Sequence, residues 1–127
     1  MHGIESLRVV SLSEVEVFDA GDERAITQFG SRGAHWAGIA RSGGEAAISR
    51  MRFEAGAILG MHPAAASQLF IVVEGAGWVR VRDHPATDVA VGQVVMWRAG
   101  EEHESGSAAG MTAVIVEAEV VTTTSPG

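Results

Sequence analysis

Chemistry in this chain of 127 residues falls to few side-chain types. Cysteine, lysine, tyrosine and asparagine are absent, which removes thiol nucleophiles, thiolate metal sites, Schiff-base lysines and tyrosine acids. Histidine, carboxylates, serine or a bound metal remain. Two of the five histidines, His62 and His103, lie in glycine-punctuated stretches: Gly56-Ala-Ile-Leu-Gly-Met-His62-Pro-Ala-Ala-Ala-Ser-Gln68-Leu-Phe-Ile-Val-Val-Glu-Gly75 and Gly92-Gln-Val-Val-Met-Trp-Arg-Ala-Gly100-Glu-Glu-His103. The other three carry less. His2 lies in a terminal arm and His84 precedes Pro85 in a turn, so both read as surface residues, and His35, beside Trp36 at the start of a candidate strand, reads as structural. A serine hydrolase is disfavoured, since there is no Gly-x-Ser-x-Gly elbow and no serine at a matched spacing from His62 or His103.

The two stretches resemble the paired motifs of the cupin superfamily. The first motif of that family reads Gly, five residues, His-x-His, three or four residues, Glu, six residues, Gly; the second reads Gly, five residues, Pro-x-Gly, two residues, His, three residues, Asn. Gly56, His62, Gly75, Gly92, Gly100 and His103 stand at the matching positions, whereas Ala64 replaces the second histidine, Gln68 the glutamate, Arg98 the proline and Ser107 the asparagine. The resemblance implies an all-β double-stranded β-helix, a jelly-roll barrel, with His62, Gln68 and His103 converging on the barrel mouth. Two neutral imidazoles and an amide oxygen can bind a divalent ion such as Zn, Fe, Mn or Ni, with waters completing the shell. Without a metal, the same pair would hydrogen-bond each other, water or an organic ligand. If the segment around His103 is extended, Glu101 shares its face and is the first candidate for a further ligand, with Glu104 as the alternative.

The elements that must hold these residues read as strands. Short runs with a period of two, separated by glycine-rich turns, point to an all-β sandwich or barrel. Residues 44–55 place Ala47, Met51 and Phe53 on one face and Arg50, Arg52 and Glu54 on the other, so Met51 and Phe53 are expected as ligand-contacting walls, joined by Phe70 on the Gln68 face. With that strand inverted, Arg50 and Arg52 would instead clamp an anion. Residues 68–73 and 77–83 read as a hairpin turning at Glu74-Gly75-Ala76. Residues 111–121 form a last long strand, and Leu7–Val10, Glu16–Asp19, Ala25–Phe29 and His35–Arg41 are weaker candidates. The aromatic residues and methionines, including Trp36, Met61, Trp78, Met96 and Trp97, read mostly as core. The expected organisation is an N-terminal arm with weak strands over 1–33, a barrel domain over 34–121 and a frayed tail over 122–127.

A formal net charge of -7, with nine dispersed arginines, argues against nucleic acid or an anionic membrane as partner. No signal-like or membrane-length apolar run is present, so a cytoplasmic protein is expected. Both faces of Leu69-Phe70-Ile71-Val72-Val73 are apolar, so one face fills the barrel and the other needs cover. A second subunit, making a homodimer, is the expected cover, and the N-terminal segment of the same chain is the alternative. The resulting expectation is a small stand-alone cupin that binds a small organic molecule at a reduced His62/Gln68/His103 site, through a divalent metal and no organic cofactor. As an enzyme it would be a metal-dependent oxygenase, isomerase, lyase or cyclase. A metal-free ligand sensor or carrier, and a structural subunit with a vestigial pocket, are the alternatives.

Overall fold

The computed structural model describes residues 15–19, 22–32, 35–37 and 39–123. The described residues form ten strands: β1 (Glu16–Asp19), β2 (Arg24–Ala25), β3 (His35–Trp36), β4 (Ala40–Phe53), β5 (Ala57–Pro63), β6 (Ser67–Val81), β7 (Thr87–Ala90), β8 (Gln93–Trp97), β9 (Glu102–Ser107) and β10 (Met111–Thr123). A single 3-10 turn at Gln28–Gly30 is the only helical element among the described residues, none of which forms a helix able to cross a membrane. The strand candidate Leu7–Val10 and His2 lie outside the described residues.

One layer runs β1-β8-β6-β10-β4, with every pairing antiparallel. The other joins β7 to the C-terminal half of β6, that half to β9, and β9 to β5. Period-two patterning decides which side chains the layers enclose. Val15, Val17, Phe53, Phe70, Val72, Val79, Val81, Val89, Val95, Trp97, Met111, Ala113 and Ile115 form one buried cluster between them, and Met51 packs against it. A smaller cluster of Phe18, Leu69, Val94 and Met96 lies on the opposite face of the first layer. Arg52 therefore faces solvent, beside Glu54 at 3.7 Å, and the inverted-strand alternative is set aside.

The expected hairpin at Glu74-Gly75-Ala76 is not formed. β6 is one strand of 15 residues that changes layers at this point: residues 67–75 pair with β10, and residues 76–81 pair with β7 and β9. Inward residues are Phe70 and Val72 before the bend and Val79 and Val81 after it, so the alternation slips by one residue. The register against β10 shifts at the same place, between Thr112 and Ala113. Gly75 absorbs the slip at φ 76°, and a Cβ there would overlap the Gly110 carbonyl oxygen. β1, from the expected arm, adds to the edge of the first layer through β8 and contributes Val17 to the core, and β10 continues to Thr123. Trp36 (54% exposed) and Met61 (37%) lie outside the core.

Candidate functional site

His62 and His103 are direct register partners across β5 and β9. Their ring centroids are 4.5 Å apart with planes tilted by 54°. Each ring is fixed by a backbone carbonyl two residues upstream: Nδ1 of His62 lies 2.6 Å from the Gly60 carbonyl oxygen, and Nδ1 of His103 lies 3.0 Å from that of Glu101. A carbonyl oxygen only accepts, so both Nδ1 atoms carry the proton and donate, and in the neutral ring Nε2 keeps its lone pair. Neither Nε2 has a hydrogen-bond partner among the described residues. Trp97 stacks on the His103 ring at 4.3 Å and 22°, which fixes the plane of the imidazole from below.

His103 is 2% exposed, and this burial pushes its pKa below the ordinary 6.5. The hydrogen bond to the Glu101 carbonyl opposes the shift, and a charge on His62 would add to it. The ring is therefore neutral at neutral pH, as a metal ligand or hydrogen-bond acceptor must be. The Trp97 indole N–H is buried with no hydrogen-bond partner among the described residues. It is a donor only, so the interior beside His103 holds one unmet demand for an acceptor.

Gln68 lies in the first layer, where Trp97 on β8 and Glu117 on β10 are its register partners. It faces the interior with Phe70 and Val72, one strand beyond the Trp97 that touches His103. Its Nε2 donates to Glu117 Oε2 at 3.0 Å, which leaves the amide oxygen uncommitted by that bond. Phe53 and Phe70 are buried in the core with ring centroids 6.2 Å apart, and Met51 packs beside them.

Glu101 does not join the histidines as a carboxylate. Its Oε1 accepts from the Arg98 backbone N–H at 3.0 Å, and its own N–H donates to the Arg98 carbonyl at 3.0 Å, closing the turn before β9. What it offers the site is its carbonyl oxygen, shared by the Ala64 N–H at 3.0 Å and by His103 Nδ1. Glu104 points away and pairs with Arg80. Among the described residues no three His, Asp or Glu side chains gather to hold a metal. Two motif departures have structural roles. Ala64 is packed into the core, and the Ser107 hydroxyl donates to the Ala76 carbonyl at 2.6 Å and accepts from the Gly110 N–H at 2.8 Å, tying β9 to β6 and to the turn before β10.

The donor set fits a divalent ion in part. Two imidazoles sharing one ion through Nε2 at ordinary distances set their ring centres about 4.5 to 5.3 Å apart, and the observed 4.5 Å falls in that range. The carbonyls that hold Nδ1 are the kind of partner that orients metal-bound histidines. Glu117, on the inward face of β10, is a carboxylate that motif reading passed over. Its signal was parity, because Ala113, Ile115 and Glu117 share one face.

No family model matches this chain, and no curated protein matches it either. Solved structures do. A RmlC-like cupin with a double-stranded β-helix from Methanocaldococcus jannaschii matches with a TM-score of 0.56 at 10% identity, over 76% of this chain and 88% of its own. A cupin-2 domain protein from Shewanella frigidimarina NCIMB 400 matches at 0.52 and 20%, over 61% and 74%. The DMSP lyase DddQ from Ruegeria pomeroyi DSS-3 matches at 0.54 and 15%, over 76% of this chain and 51% of that one. These likenesses, with the layer order above, establish the fold as the cupin double-stranded β-helix.

Proposed function

We propose that this cupin-fold chain binds a small organic molecule in its barrel at His62, Gln68 and His103, with a divalent metal ion held by the two Nε2 atoms and the Gln68 amide oxygen. The observation that carries the reading is that both histidines are pinned through Nδ1 by backbone carbonyls two residues upstream, leaving Nε2 uncommitted on each of two rings whose centroids are 4.5 Å apart. Pinning of this kind limits the ordering cost of ligation. The neutral state of His103 and the stack with Trp97 serve the same end. A bound ion would supply Lewis-acid polarisation or, if redox-active, one-electron chemistry, which brings oxygenase, isomerase, lyase and cyclase reactions within reach. The chain's own residues would orient the ligand, exclude water through Phe53, Phe70 and Met51, and offer the Trp97 N–H to an acceptor atom. Protein purified without a histidine tag is expected to carry near-stoichiometric divalent metal by elemental analysis. A metal-free result with both histidines intact would defeat the metal.

The unpaired Trp97 N–H favours one second reading, a metal-free ligand sensor or carrier, because a buried donor recruits an acceptor whether or not a metal is present. A metabolite that raises the melting temperature of metal-stripped protein would support it. We also propose a homodimer in a cytoplasmic setting, with the outer face of the first layer covered by a second copy.

A further inference from the structure

We infer that Glu117 is the anionic group of this site, moved from the motif strand to its neighbour, and that it positions Gln68 by holding the amide nitrogen so that the amide oxygen is the end left for a ligand. The inference rests on the His62/His103 reading above. Gln68 and Glu117 stand directly opposite each other in the β6–β10 ladder, with Phe70 opposite Ile115 two residues along. Phe70 and Ile115 belong to the enclosed core, so period two puts the Gln68–Glu117 pair on the barrel's inner face as well. Nε2 of Gln68 meets Oε2 of Glu117 at 3.0 Å. Among the described residues the ion pairs are Arg52–Glu54, Arg80–Glu104 and Arg98–Glu16, and none engages Glu117. A half-buried carboxylate on an inner face, in no ion pair among the described residues, is available to a cation or to a donor-bearing ligand. On its other side the register partner of Glu117 is Ala47 of β4, an exposed residue.

The same pair explains why residue 68 is an amide. A glutamate at 68 would set two carboxylates directly opposite each other, and one would have to bind a proton or turn away. Glutamine supplies a donor to the existing charge instead, and the site keeps one negative group on a different strand. The departure at Gln68 is then a relocation of charge.

Four full-length proteins test this: wild type, E117Q, Q68E and the exchange Q68E/E117Q. Each is melted after metal stripping and titrated calorimetrically with Zn2+ and Mn2+. E117Q keeps an acceptor oxygen for Gln68 and is expected to melt near wild type but bind metal about 10- to 100-fold more weakly. Q68E is expected to melt lower at neutral pH and to recover on acidification. The exchange, which swaps amide and carboxylate across the ladder, is expected to restore the melting temperature, as any remade pairing would, and also most of the affinity, which a purely structural role for Glu117 would not give. E117Q binding as tightly as wild type, or an exchange no better than Q68E, overturns the inference. Should wild type bind no metal, the metal reading fails separately, and the melts still decide the pairing: rescue by the exchange upholds it, and no rescue removes it.

Discussion

A histidine whose Nδ1 is committed to a backbone carbonyl has one nitrogen left to offer, and here two such rings lie with centroids 4.5 Å apart. His62→Ala and His103→Ala are each expected to abolish metal retention, since two imidazoles and one amide leave no spare ligand; retention in both variants, read by elemental analysis, would move the site elsewhere. Their stability effects should differ. His103 is buried against Trp97 and His62 is only half-buried, so the His103 change also opens a cavity and should melt lower. A pH dependence follows from burial. With the folded pKa of His103 below 6.5, the unfolded chain binds its proton at higher pH than the folded one does, so stability is complete above that value and declines as pH falls through the two pKa values. Urea midpoints of metal-stripped protein at about pH 7.5 and pH 5.5 should show the decline, and His103→Gln should flatten it; equal slopes in both proteins would exclude His103 as the source. At this scale the histidines were legible because motif spacing names positions directly. Glu117 was not, because its meaning depends on lying across a ladder from Gln68, and cross-strand register is set by the turns and bulges between residues 68 and 117. Glu101 was misjudged for a related reason. Alternation put it on the His103 face, but the turn at Arg98 claims its carboxylate before the strand begins.

At the scale of elements, β6 does most to bring the site together, because its first half carries Gln68 in one layer and its second half pairs with the strand that carries His103 in the other. The sequence showed apolar runs on either side of Glu74-Gly75-Ala76, and glycine between two such runs ordinarily signals a reversal. The feature that separates a bend from a reversal is long-range: Gly110 passes against Gly75 so closely that no side chain fits between them. Gly75→Ala therefore combines a left-handed backbone, at about 1 to 2 kcal/mol, with a backbone clash that no rotamer relieves. Gly56 supplies the control, since it also has positive φ (81°) but open space where its Cβ would be. Urea denaturation should find Gly56→Ala destabilised by the conformational cost alone and Gly75→Ala by clearly more, with reduced metal binding as the two halves of β6 lose their mutual angle. Equal losses would mean that the Gly75–Gly110 approach relaxes freely and that the bend is not what aligns the layers.

On the scale of the whole molecule, apolar side chains on the enclosed face of the barrel are packed together, whereas those on the outer face of the first layer are partly exposed. Leu69, Ile71, Val116 and Val121, with Ile39 and Ala40, border a groove of about 210 Å³ there, and Ile48, the register partner of Val116, remains 72% exposed. β4 has β10 on one side and no strand on the other among the described residues, so a long sheet edge runs beside this face. Apolar outward patterning in β6 was readable from the run of Leu69 to Val73, but what covers it was not, because alternation gives the side and never the partner. Light scattering is expected to return twice the 13.2 kDa of one chain. Ile48 gives a selective probe. In a monomer an exposed Ile48→Arg change alters stability by no more than about 0.5 kcal/mol. In a two-fold dimer the residue is buried twice, at about 1.5 to 3 kcal/mol per copy, which weakens association by about a hundredfold or more. The variant should then run at half the wild-type mass at micromolar concentration and lose the concentration dependence of its melting temperature. A wild type that is monomeric at every concentration would remove the second copy as the cover of this face.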